Sequence, residues 1–398
     1  MYQKCLICIM IINMNVFLSF AMDKDLVSSV VPYKKVRLLQ NAFNDSVRGD
    51  VLVQKKIPYI VKKVGLQLRE TDIDEFADHR NVDAVLIYTI ISKNISILDY
   101  LISKDKKGYF NIDIVSALQK YVSGEFKESI EALSKIKDKY KDNTEITPYL
   151  HIIMGNAMMS FSSQKAVKFF DNVRLTSPGT FLEEIALRYL LEIKLNKDVY
   201  LDECVFGYIR SYITKFYYSI YKDRFINFLL HFLFHNKCKL NNEEILFIMS
   251  FLSLEDQRVI YFKIAQKAVI LGKGKIGFLA VSQLKKISSR LDYKDLNTIQ
   301  LYENILNIPF VDIISLQLST YNIPYYFLDI KDINLKKSAE FIMSEMAQSL
   351  INIDFNYINK DFPLYKKEHE NMNLNLDSFI KKNRQKVEGI ESLLKEER

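Results

Sequence analysis

The stretch from residue 112 to 191 constrains the fold most, because it carries helix–turn–helix punctuation twice in quick succession. In the first pass Ala117 and Tyr121 precede Gly124, and Ser129, Leu133 and Ile136 follow it. In the second, Met154 and Ala157 precede Ser162 and Ser163; Ala166, Phe170 and Val173 follow, and Pro178 ends the unit. A tetratricopeptide (TPR) unit of about 34 residues asks for this order of small residue, aromatic, turn, small residue and terminating proline. The cause is steric. Small residues let two helices touch, and larger apolar ones fill the groove to the next hairpin. One hairpin cannot bury its apolar face alone, so the surrounding chain is expected to repeat the pattern. A third unit of the same grammar runs through 260–270, a turn at Gly272, and 277–284, with Ala265, Ala268 and Gly277 as its small residues.

Eleven Gly and seven Pro are few for 398 residues, which favours helices over a turn-rich β fold. The expected architecture is all-α, with TPR-like helical-hairpin repeats forming a solenoid-like array. The expected regions are a leader at 1–21, an N-terminal helical region at 22–110, the repeats at 111–305, a C-terminal helical region at 306–353 and a polar tail at 354–398. No Gly/Ser linker separates independent domains. Within these regions 51–68 reads as helical, with Pro58 as a kink or a new start. Asn81 reads as a cap, and Thr180 with Glu183 fits a capping box. Residues 209–221 place apolar side chains at alternating three- and four-residue spacing, an amphipathic helix rich in Tyr. Beyond 306 the pattern loosens. Residues 310–318 and 325–328 are ambiguous between strand and helix, and 335–351 reads as a last helix.

The chain opens with Lys4, an apolar run over 5–20, and small residues at Ser19 and Ala21. This reads as a secretory signal peptide cut after Ala21, with an uncleaved anchor as the alternative. The later run 225–234 (FINFLLHFLF) is only half a membrane span, so the mature chain is expected not to span a membrane. Cys5 and Cys8 leave with the leader. Cys204 and Cys238 remain, either as one disulfide or as two unpaired buried thiols. The net charge of +7 is small against 26% charged residues, and clusters such as 135–141 interleave acids with lysines. A nucleic-acid protein would gather its surplus into a stripe, so that partner is not expected.

The sequence holds no complete reactive constellation. Residues 272–277 (GKGKIG) match G-x-G-x-x-G, but a dinucleotide site needs a strand before that motif, and here a helix pattern precedes it. His231, His235 and Cys238 stand at i, i+4 and i+7, yet no second Cys/His pair accompanies them. Glu183 and Glu184 read as first-turn acids facing a helix dipole. No Gly-x-Ser-x-Gly elbow is present. No catalytic, cofactor-binding or metal-ligating residue is therefore expected, and the chain is expected not to be an enzyme.

Several segments resemble the MotC family of motility proteins from alphaproteobacterial flagellar systems. They are PYKKVRLLQ at 32–40, the helix start at Arg80, the Gly-centred YVSGEFKESIEAL, SPGTFLEEIALR at 177–188, SYITKFYYSIYKDRF at 211–225 and EDQRVIYFKIAQKAVILGKG at 255–274. Their order and spacing carry the resemblance over about residues 31–300; the region after 306 does not obviously match. The resemblance implies export to the periplasm, action on the periplasmic part of the stator protein MotB in support of flagellar rotation, and no catalytic residue. Two other functions stay open: a generic periplasmic scaffold for envelope assembly, and a hydrolase of cell-wall glycan. The contact face expected for a partner is Tyr212, Phe216, Tyr217 and Tyr221, with core packing of the same residues as the alternative.

Overall fold

The computed structural model describes residues 31–196, 203–235, 240–287 and 292–361. Among these residues every regular element is helical and none is a strand, so the all-α expectation holds. The leader at 1–21, Cys238 and the side chain of Cys204 lie outside the described residues, as does the tail beyond 361. The chain divides into two compact units, residues 1–239 and 240–398.

The first unit contains α1 (Pro32–Val47), α2 (Val51–Arg69), α3 (His79–Ser92), α4 (Ile95–Lys104), α5 (Ile112–Val122) and α6 (Phe126–Tyr140). It continues with α7 (Thr147–Met158), α8 (Ser163–Thr176), α9 (Phe181–Asn196), α10 (Glu203–Lys215) and α11 (Lys222–Phe234). Several of these helices start where short polar side chains accept orphan backbone N–H groups: Asp50 for α2, Asp78 for α3, Asn94 for α4, Asn111 for α5 and Ser162 for α8. Asn81 is therefore not the cap of α3. It is buried inside that helix, donates to the Glu75 carbonyl and accepts from the Tyr33 N–H, tying α1 to α3. Helix α2 runs through Pro58 without a break.

Helices α1 and α2, α5 and α6, and α7 and α8 pack on one another as hairpins. Gly124 turns the second hairpin at φ +84°, and Glu125 N–H reaches back 2.9 Å to the Lys120 carbonyl. This is a left-handed helix terminus that a side chain would strain. Across that hairpin the buried Ser129 hydroxyl donates to the Ala117 carbonyl at 2.9 Å, a contact only small residues allow. Between α7 and α8, Ala157 and Ala166 are fully buried. Gly155 faces Phe170 so closely that a Cβ would stand 2.8 Å from the ring.

The array is more closed than a chain of hairpins that touch only sequence neighbours, because α1 also packs against α9. Asn44 accepts the Phe181 N–H at 2.9 Å, Arg48 donates to the Gly179 carbonyl at 3.1 Å, and the Phe43 and Phe181 rings lie 5.2 Å apart. These contacts close the first unit around an interior groove.

His151, on α7, is held beside the Phe169 ring with a buried Nδ1 that has no hydrogen-bond partner. Burial lowers its pKa from the ordinary 6.5. The folded state therefore keeps it neutral where the unfolded chain binds a proton, so stability is lost as pH falls through about 6.5 and levels off below the folded pKa. The urea midpoint is expected to fall between about pH 7.5 and about pH 5, and less steeply in His151→Leu. Parallel curves for the two proteins would remove His151 from this account.

The second unit contains α12 (Asn242–Met249), α13 (Leu254–Ile270), α14 (Gly274–Lys286), α15 (Tyr293–Asn307), α16 (Ile313–Tyr321) and α17 (Ile330–Asp361). Helices α13 and α14 form the expected third hairpin, turned by Gly272 at φ +63°. A Cβ on Gly277 would meet Ala268 Cβ at 3.0 Å and Leu306 methyl carbons at 2.8 and 2.9 Å. That glycine serves helix contact, and a helix rather than a strand precedes the G-x-G-x-x-G run. Of the ambiguous segment 310–318, residues from 313 onward resolve as a helix because Asp312 caps α16, accepting the Ser315 N–H at 2.9 Å. The last helix begins earlier and ends later than its apolar pattern, covering 32 residues. Asp332, nearly fully buried on α17, accepts from Tyr302 of α15 at 2.7 Å and from Gln266 of α13 at 3.0 Å.

Candidate partner-binding groove

Helix α9 organises the interior of the first unit. Its start is fixed from three sides: Asn44 takes the Phe181 N–H, Thr180 accepts the Glu183 N–H at 3.5 Å, and Glu183 accepts the Gly179 N–H at 2.5 Å. Glu184, Arg188 and Glu192 then recur every fourth residue, which places them on one stripe of the helix. Arg188 Nε donates to Glu184 Oε1 at 2.7 Å. Its guanidinium lies 3.7 Å from the centre of the Tyr221 ring, a cation–π contact. Arg224, near the start of α11, donates to Glu192 at 2.9 Å.

The acids Glu183 and Glu184 do more than face a helix dipole. Both are almost completely buried, and each holds a group of α10: Lys215 Nζ donates to Glu183 at 2.7 Å, and the Tyr212 hydroxyl to Glu184 at 2.8 Å. Burial works against the charge on Arg188, but the Glu184 carboxylate outweighs it and the pKa rises. Burial pushes the Tyr212 phenol up, and the neighbouring carboxylate pushes it further, so it remains a donor.

The aromatic face expected at 212, 216, 217 and 221 is corrected by this geometry. Tyr212, Phe216 and Tyr217 are 0%, 1% and 2% exposed, and Tyr212 stacks on Phe225 at 4.4 Å. They pack the core and are not available to a partner. Tyr221 is half-buried and lines the groove. The amphipathic helix over 209–221 is also interrupted. Helix α10 ends at Lys215, and Ser219 closes a turn. Its N–H donates to the Phe216 carbonyl at 2.9 Å, its hydroxyl accepts the Tyr221 N–H at 3.1 Å, and that hydroxyl also meets the Tyr212 hydroxyl at 3.0 Å. A serine that satisfies the backbone locally offers the chain an alternative to another helical turn.

Between α1, α3, α5, α7 and α9 lies a cavity of about 190 Å³. Phe43, Tyr149, Ile152 and Phe181 supply apolar wall; Tyr121, Asn156 and Tyr189 supply a polar one. Asn156 Nδ2 donates to the Tyr121 hydroxyl at 3.0 Å and to that of Tyr189 at 3.2 Å, while Gln40 donates to Tyr149 at 2.8 Å. Burial raises the pKa of all three tyrosines, so they stay neutral. A second cavity of about 270 Å³ shares Arg188, Glu192 and Arg224 with the first.

Among the described residues no group of three His, Cys, Asp or Glu is placed to hold a metal ion, and no helix is long and apolar enough to cross a membrane. His235 lies beyond the end of α11 in extended backbone, so the helical spacing with His231 is not continued. Sequence reasoning missed the groove. Its one available signal was the four-residue recurrence of Glu184, Arg188 and Glu192.

A family model described as "Chemotaxis protein MotC" matches residues 2–398. Chemotaxis protein MotC of Rhizobium meliloti (strain 1021) is 29% identical over 319 residues, covering 80% of this chain and 73% of that relative. No solved structure gives a significant match. The segments that resembled this family in the sequence thus sit within a match that spans nearly the whole chain, residues after 306 included, and the chain belongs to the MotC family of chemotaxis proteins.

Proposed function

We propose that this protein supports flagellar rotation from the periplasm by binding the periplasmic part of the stator protein MotB, without catalysing a reaction. The family match supports a role in motility. The observation that carries a binding role is the groove enclosed by α1, α3, α5, α7 and α9, whose walls combine aromatic side chains with charged ones. Hairpins packed in this way are read as TPR-like units that present the first helix of each pair to the groove. Binding biases a partner only through differential affinity for one of its conformations, so the protein would hold the stator segment in its working state.

A strain lacking the gene is expected to assemble flagellar filaments of normal number and length that do not turn. The mature chain is expected in the periplasmic fraction, and the MotB periplasmic region is expected to co-purify with it. Loss of filaments would favour an envelope-assembly scaffold instead. Release of soluble fragments from purified peptidoglycan would favour a glycan hydrolase.

A further inference from the structure

We infer that the groove of the first unit takes an extended segment of the partner protein that offers an apolar side chain followed by a carboxylate, the carboxylate meeting Lys93. This rests on the reading that the protein acts by binding another protein. Five charged residues line the groove, three cations and two carboxylates. The carboxylates are spoken for: Glu184 bonds Arg188, and Glu192 bonds Arg224. The remaining cation, Lys93, keeps much of its surface exposed and makes no ion pair among the described residues; no carboxylate offsets the partial burial that lowers its pKa. The site therefore carries one uncompensated positive charge beside the aromatic wall of Phe43, Tyr149 and Phe181.

The position of Lys93 is itself unusual. It closes α3 at φ +55°, and among the described residues it is the one residue other than glycine with a positive φ. Gly or Asn is the ordinary choice at such a terminus. A lysine there accepts backbone strain, and it stands among the residues that line the groove, at the C-terminal, negative end of the α3 dipole. A carboxylate arriving at Lys93 restores charge balance, and the apolar side chain next to it is covered by the aromatic wall.

The chain contains no Trp, so a Trp-bearing peptide reports its own burial without background. Acetyl-Gly-Trp-Asp-Gly-amide and its Asn and Lys counterparts are titrated with the full chain. The Asp peptide is expected to shift its emission to the blue and to bind about five-fold more tightly than the Asn peptide, as for a partly exposed ion pair. The Lys peptide is expected to bind more weakly than either. Lys93→Gln is expected to erase the Asp preference, bringing the Asp peptide down to the affinity of the Asn peptide, while the helical circular-dichroism signal of the protein stays unchanged.

Equal affinities for the Asp and Asn peptides, no blue shift for any peptide, or an Asp preference that survives Lys93→Gln would overturn the inference. So would indole-3-propionate binding as tightly as the Asp peptide, since a small carboxylate rather than an extended segment would then fill the groove. Co-purification of the MotB periplasmic region is scored in parallel. Its success with any of these negative results sinks the groove assignment alone, and its failure sinks the broader reading.

Discussion

Arg188→Met is expected to lower the unfolding free energy by about 3–5 kcal/mol, the usual cost of leaving a buried partner charge uncompensated. Glu184 has no exposed surface, and Arg188 Nε is the cation that meets its Oε1 at 2.7 Å. Its other oxygen, Oε2, is already buried without a hydrogen-bond partner. Removing the guanidinium leaves the carboxylate with the Tyr212 hydroxyl as its remaining donor. For a unit of this size a loss of 1 kcal/mol moves the thermal midpoint by roughly 2–4 °C, so a fall of about 10 °C is expected.

The double variant Arg188→Met, Glu184→Leu separates two explanations. If the loss comes from the stranded charge, removing that charge as well restores most of the stability, because an apolar pair of similar volume costs no ionic desolvation. The Tyr212 hydroxyl keeps Ser219 as a partner in that variant. A double variant no more stable than Arg188→Met would show that packing of the arginine stem, rather than the ion pair, accounts for the stability that Arg188 contributes.

The hairpins were legible in the sequence because their causes are local. Gly124 and Gly272 mark left-handed helix ends, and Ala157, Ala166 and Gly277 mark close helix contact, each within a few residues of the feature it creates. The groove was not legible, since its walls meet through pairs far apart in the chain. Asn44 with Phe181 and Arg48 with Gly179 are separated by 137 and 131 residues. On a lone helix Glu184 and Arg188 would be an ordinary surface pair worth a few tenths of a kcal/mol. The helices packed on α9, α10 among them, take Glu184 out of water and cover most of Arg188. The aromatic stripe at 212–221 misled for the converse reason. Apolar periodicity reports which side chains leave water, but not whether a neighbour of the same chain or a partner covers them. Here Phe225 and Glu184 already occupy that side of Tyr212.

Gly155→Val tests whether close helix approach is transmitted to the groove. Its Cβ would stand 2.8 Å from Phe170, a ring with no exposed surface that cannot move without displacing its neighbours. Overpacking of this kind costs about 1–3 kcal/mol, and a rigid aromatic partner puts the expected loss near the top of that range. The Phe170 ring is stacked 4.8 Å from Tyr189, which Asn156 links to Tyr121 at the groove wall. The variant should therefore weaken binding of the Asp peptide as well as the fold. Phe170→Leu removes the ring atoms that clash, so the double variant is expected to be more stable than the sum of the single losses by about 1–2 kcal/mol, within the range of coupling between touching residues. Strict additivity would mean that α7 and α8 separate to admit the larger side chain. An unchanged peptide affinity in Gly155→Val would mean that the groove wall is insulated from the hairpin behind it.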